Sequence, residues 1–79
     1  MSRSATLRKR SVTIAGHRTS LSLEAVFWNA LHDAANEEGR SVNALVERID
    51  RERSMDGSEG NLSSAVRVWL MLRLRERAA

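Results

Sequence analysis

Cysteine is absent from this chain of 79 residues, so neither a disulfide nor a zinc–thiolate site can staple it. Only two histidines occur, His17 and His32, and no metal site or cofactor is expected from them. There is no glycine-rich phosphate loop, no cysteine nucleophile and no pair of carboxylates set beside a histidine, which argues against an enzyme. Ser22, His32 and Asp33 can be drawn as a catalytic triad, but each has a plain structural explanation. No apolar run approaches the roughly 20 residues that span a bilayer. The basic N-terminal stretch is followed by no apolar segment of the secretory type. A cytoplasmic protein without a membrane segment is the expectation. Acids are missing too, but only locally: residues 1–19 hold Arg3, Arg8, Lys9, Arg10 and Arg18 and not one carboxylate.

Beyond residue 19 eight arginines face ten acids, so the net charge of +3 is concentrated at the N-terminal end. A flexible basic arm over residues 1–8, attached to a near-neutral domain over residues 9–79, suits a polyanionic partner. Arg8, Lys9 and Arg10, at the junction of arm and domain, are the candidate phosphate contacts. A chain this short buries a modest share of its surface and often needs a further stabiliser. With disulfide and metal set aside, a second subunit is the expected one.

The chain is organised around residues 17–49. Arg18-Thr19-Ser20-Leu21-Ser22-Leu23 alternates polar and apolar with the period of a strand buried on one face. Phe27, Ala30, Leu31 and Ala34 then recur at i, i+3, i+4 and i+7, which predicts a helix over about 24–38. Gly39 ends it by taking the left-handed conformation. Ser41 caps a second helix over about 42–53, with Val42, Leu45, Val46 and Ile49 on one face. Phe27 and Trp28 are adjacent and cannot point the same way, so one belongs in the core and the other against a third helix or a partner. Residues 54–60, SMDGSEG, read as a flexible loop. Asn61 or Ser63 caps a third helix over about 62–77, which carries Leu62, Ala65, Val66, Val68, Trp69, Leu70, Met71, Leu72 and Leu74. That apolar surface is too broad for a single-faced helix and must be covered by something.

Upstream, Val12 and Ile14 stand on even positions, Leu21 and Leu23 on odd ones. One straight strand cannot bury both pairs. The parity must change near Gly16, which gives two segments, about 10–15 and 17–23. The second is read as the ribbon strand, and the pairing of the first stays open.

A solitary strand ahead of two helices leaves its backbone groups unpaired unless another chain supplies a neighbour. This order of elements, with polar residues alternating along the strand, resembles the ribbon-helix-helix family. Glu38-Gly39-Arg40-Ser41-Val42-Asn43 is similar to the interhelical turn of Arc-like members, and Thr19-Ser20-Leu21-Ser22-Leu23 to the strand of methionine-repressor-like members. The wider pattern covers roughly residues 9–70 and resembles a small bacterial group of the family. It joins Lys9-Arg10-Ser11-Val12-Thr13-Ile14-Ala15-Gly16-His17-Arg18, then Phe27-Trp28, then Asn61-Leu62-Ser63-Ser64-Ala65. The resemblance implies a mainly α fold with one β-ribbon: a homodimer whose two chains pair strands into an intermolecular antiparallel ribbon, plus an extra C-terminal helix. The dimer core would be Leu21, Leu23, Phe27, Leu31, Val42, Leu45, Val46 and Ile49.

The resemblance also implies a dimeric transcriptional regulator or repressor that sets its ribbon in the major groove of double-stranded DNA. The base-reading positions fall on Arg18, Ser20 and Ser22, with Thr19, Leu21 and Leu23 turned to the core. The free amides that follow Ser41, at Val42 and Asn43, would hold a phosphate. Serines discriminate bases poorly where longer side chains often stand, so modest specificity is expected. The alternative is a protein-interaction module or antitoxin-like adaptor that uses the apolar C-terminal helix.

Overall fold

Two strands and three helices follow one another: β1 (Leu7–Ile14), β2 (His17–Glu24), α1 (Ala25–Glu37), α2 (Val42–Met55) and α3 (Leu62–Ala78). This computed structural model describes residues 5–55 and 61–78. Arg3 of the expected arm and residues 56–60 of the expected loop lie outside the described residues. β1 starts at Leu7, so Leu7 and Arg8 belong to a strand rather than to a flexible arm. At the other end of the loop, Ser54 and Met55 continue α2, with the Ser54 hydroxyl donating to the Asp50 carbonyl at 3.1 Å.

β1 and β2 pair antiparallel within the chain, Val12 opposite Thr19 and Arg10 opposite Leu21. Opposed residues share a face, and every pair joins an even position on one strand to an odd one on the other. The parity change at Gly16 is therefore a hairpin. Ala15 and Gly16 link the strands with φ of 51° and 82°, the positive angles that strand twist demands of a two-residue turn. Gly16 adopts that angle freely, whereas Ala15 bears a strain of about 1–2 kcal/mol. β1 thus pairs with β2 within the chain, which answers the pairing that the sequence left open for the first segment. The strand before α1 is not solitary, because β1 supplies its neighbour.

The inward face of the hairpin carries Val12, Leu21 and Leu23, all buried, with Ile14 packed beside them. Thr19 shares that face but is exposed, since α2 leans on β1 at this end and leaves the β2 side open. Six of the eight residues expected in a dimer core (Leu21, Leu23, Leu31, Leu45, Val46 and Ile49) are at most 2% exposed in the single chain. Phe27 and Val42 pack half-buried against them. Each fully buried aliphatic side chain contributes about 1.5–3 kcal/mol. Trp28, Val66 and Leu70 close the same core.

The helix ends follow the sequence closely. The amides of Gly39 and Arg40 reach the carbonyls of Asn36 and Ala35 at 3.2 and 2.9 Å, with Gly39 at φ 65°, which is the glycine-terminated helix end expected. Ser41 Oγ accepts from the Ala44 amide at 3.0 Å, and Asn61 rather than Ser63 caps α3, accepting from the Ser64 amide at 2.8 Å. Glu24 sits at the start of α1 without capping it. Its carboxylate instead accepts from Arg67 Nε of α3 at 2.8 Å.

Trp28 is the core aromatic and Phe27 the one turned to α3, with the Arg67 guanidinium 5.8 Å from its ring centre. At its far end α3 is tied to α1 by Arg73, which reaches Glu37 at 2.6 Å and Glu38 at 3.0 Å, and by Arg77, which also bonds Glu37. Arg48 of α2 joins the same cluster, 2.5 Å from Glu38. Those guanidinium bonds, Arg77 first, hold the Glu37 carboxyl below the usual range, and Arg67 does the same for Glu24. The outward side of α3 remains apolar and open: Val68, Met71, Leu72 and Leu74 are each 50–62% exposed.

Candidate nucleic-acid interface

Register and alternation place Lys9, Ser11 and Thr13 of β1 on the outward face, opposite Ser22, Ser20 and Arg18 of β2. Five of these six are exposed and Ser22 is half-buried. Two cations and four hydroxyls therefore form one surface, with no carboxylate among them. The nearest acid on that face is Glu24 at its far end, and Arg67 neutralises it. Short hydroxyl side chains let the backbone come close to a surface, and two strands lie only about 5 Å apart, within a major groove about 12 Å wide.

Arg18, Ser20 and Ser22 stand where the alternation put them. Ser11 and Thr13 were missed. The signal for them was the parity change at Gly16, which pairs odd positions of the first segment with even positions of the second. The expected phosphate contacts divide. Lys9 shares the outward face with Arg18, whereas Arg8 and Arg10 lie on the other side of the strand. The Arg10 guanidinium stacks over the Trp28 ring, 5.1 Å from its centre, and the Arg8 carbonyl accepts from Trp28 Nε1 at 3.0 Å. These two residues anchor the buried tryptophan to β1.

The start of α2 lies beside the outer edge of β1. The amides of Val42 and Asn43 have no hydrogen-bond partner among the described residues, while the Ser41 hydroxyl and carbonyl already serve Ala44 and Leu45. The Asn43 side chain is committed elsewhere: its Oδ1 accepts from the Thr13 amide at 2.8 Å, and its Nδ2 donates to the Thr13 carbonyl at 2.9 Å. Its carboxamide thereby treats the edge of β1 as a neighbouring strand would. Glu47, one turn on, accepts from the Ala15 amide at 3.4 Å and from Asn43 Nδ2 at 3.2 Å. α2 is thus latched to the hairpin near its tip. No cluster of three or more histidines and carboxylates suited to a metal occurs among the described residues.

Comparison with known proteins gives three findings. A family model described as a ribbon-helix-helix domain matches residues 7–74. Among solved structures, an uncharacterized protein from Bordetella pertussis Tohama I superposes with a TM-score of 0.84 at 32% identity, over 96% of this chain and 62% of that one. The chain therefore spans less than two thirds of that relative's length. No curated protein matches.

Proposed function

The chain belongs to the ribbon-helix-helix family, and from that premise we propose that it binds double-stranded DNA as a transcriptional regulator, with the outward face of its hairpin in the major groove. The observation that carries this reading is a two-stranded ribbon of groove width whose exposed face bears cations and hydroxyls and no free acid. Arg18 is the strongest base reader, since its guanidinium can span guanine O6 and N7, and Lys9 lies on the same face to meet a phosphate. Ser11, Thr13, Ser20 and Ser22 permit close approach and tolerate several bases. The open amides of Val42 and Asn43 add a phosphate contact beside the ribbon. Such a protein would act as a repressor in the bacterial cytoplasm, with no catalytic role. Homodimerisation on DNA, as in other members of the family, would then bring two hairpins to one regulatory site.

The test is titration of labelled duplexes, taken by selection from a random pool, at several salt concentrations. Arg18→Gln should cost roughly 1–3 kcal/mol at the selected sequence and less on random DNA. A chain that binds no duplex at low salt ends this reading. A second one then gains ground, favoured by the open apolar side of α3: a module that holds a protein partner through Val68, Met71 and Leu72. On that reading the free protein binds a hydrophobic dye strongly and loses the signal when the partner is added.

A further inference from the structure

We infer that Asn43 is a positioning residue of the DNA interface: its carboxamide clamps the tip of the hairpin to the start of α2 and so sets where Arg18 stands in the groove. The inference rests on the DNA-binding reading and adds to it a side chain that touches no base. Thr13 stands directly opposite Arg18. In a two-residue hairpin the closing pair, here Ile14 and His17, exchanges hydrogen bonds and the next pair does not. The amide and carbonyl of Thr13 therefore point away from β2, where water would ordinarily meet them. Asn43 takes both, the amide through Oδ1 at 2.8 Å and the carbonyl through Nδ2 at 2.9 Å. Two bonds from one planar group fix its orientation as well as its distance. The second Nδ2 hydrogen goes to Glu47 Oε1 at 3.2 Å, so the carboxamide cannot flip without losing all three bonds.

The tip needs such a clamp. A two-stranded hairpin is marginally stable by itself, and this one turns through Ala15 at φ 51°, a costly angle for a residue with a Cβ. Apolar packing is thin here as well: Thr19 is exposed and Ile14 only half-buried, and the buried side chains of β1 begin at Val12. The last two pairs, Thr13 with Arg18 and Ile14 with His17, are therefore held to the helices by polar contacts. Asn43 supplies those at Thr13, and Glu47, one turn further along α2, accepts from the Ala15 amide at 3.4 Å. A guanidinium spans guanine O6 and N7 only when its reach and its plane are both right. Swing of the tip would thus cost Arg18 its base while leaving its charge beside the phosphates. The main chain of Asn43 has the complementary role, since its amide is one of the two left open beside the ribbon. One residue offers its backbone to a phosphate and its side chain to the ribbon, which ties base reading to phosphate register.

The deciding experiment is a double-mutant cycle on the full chain, titrated against a selected and a random duplex at a temperature where circular dichroism shows every variant folded. Alone, Arg18→Gln should weaken the selected duplex about 5- to 140-fold, the loss given above. In an Asn43→Ala background the same change should cost only about twofold, because a loosened tip no longer holds the guanidinium on its base. Asn43→Ala by itself should weaken the selected duplex about tenfold and the random one by less than about threefold. An Arg18→Gln loss of equal size in both backgrounds overturns the inference and leaves DNA binding intact, since Asn43 is then only a structural bond. If Asn43→Ala does not fold, the cycle is run on Glu47→Ala, which frees the Ala15 amide and keeps the Thr13 bonds. A smaller shrinkage in the same direction is expected there, and none overturns the inference. Hydrogen exchange in the unmutated protein adds a second measurement: the Thr13 and Ala15 amides should exchange more slowly than in an unstructured peptide. Free exchange at both means that no clamp forms and overturns it as well. Failure of the intact chain to bind any duplex at low salt removes the DNA reading itself, and this inference with it.

Discussion

Lys9 and Arg10 are adjacent cations with different surroundings, and the difference is measurable. Lys9 projects from the outward face, so Lys9→Ala should lower the slope of log affinity against log salt by about 0.9 per chain. Its effect on stability should stay within about 0.5 kcal/mol. Arg10 stacks on Trp28, so Arg10→Ala should leave the slope alone and cost about 0.5–1 kcal/mol of stability. Equal losses of slope would show that both faces of β1 meet DNA. Deleting residues 1–10, a clean test of a flexible arm, would instead remove half of β1. Ala15 offers a second residue-scale test. It holds φ 51° in a turn that favours asparagine before glycine, so Ala15→Asn should stabilise the fold by about 0.5–1 kcal/mol. A lower melting temperature in that variant would mean that the turn is of another type.

Among the elements, α3 is attached differently from the rest. It buries Val66 and Leu70, packs Leu62, Ala65 and Trp69 half-buried against the core, and is tied further by ion pairs to Glu24, Glu37 and Glu38. The folded-state pKa values of Glu24 and Glu37 lie below the ordinary 4.5. The stability they contribute is therefore complete above pH 4.5 and is lost as the pH falls below it through the folded values. α3 should loosen in that acid range before the hairpin and the other two helices unfold. Hydrogen exchange along α3, or the emission of Trp69 beside Arg73, reports this directly. High salt at neutral pH should act in the same direction, because exposed pairs are screened. If α3 keeps its protection until global unfolding, its apolar contacts with the core are enough to hold it.

For the molecule as a whole, composition and structure lead to opposite expectations. A short chain with no disulfide, no metal and a strand that reads as lone argues for a folded state that exists only as a dimer. The structure closes its core within one chain, so the melting temperature of the free protein should not change with protein concentration. Leu45→Ala should lower it by the cost of a core cavity, about 2–5 kcal/mol, at every concentration alike. A melting temperature that rises with concentration would show that two chains fold together.

How much of this was legible in the amino acids depends on the range of the interaction concerned. Signals that act over a few residues were readable: the Leu21 and Leu23 alternation, the stop at Gly39, the caps at Ser41 and Asn61, and helix limits within two residues of those found. The outward placement of Arg18, Ser20 and Ser22 follows from the same alternation. What pairs with β2 could not be read, because backbone donors and acceptors are alike in every residue. A period of two names the buried face of a strand and is silent about its neighbour. The sides taken by Arg8, Lys9 and Arg10 follow from the alternation that buries Val12, once that strand is seen to begin at Leu7. Two other features rest on contacts between distant parts of the chain. Asn43 meets Thr13 across 30 positions, and Arg67 meets Glu24 across 43. Local propensity and spacing carry no trace of either. They exist because burying Leu23, Leu31, Leu45, Val46 and Val66 in one core brings α2 to the edge of β1 and lays α3 against the end of β2.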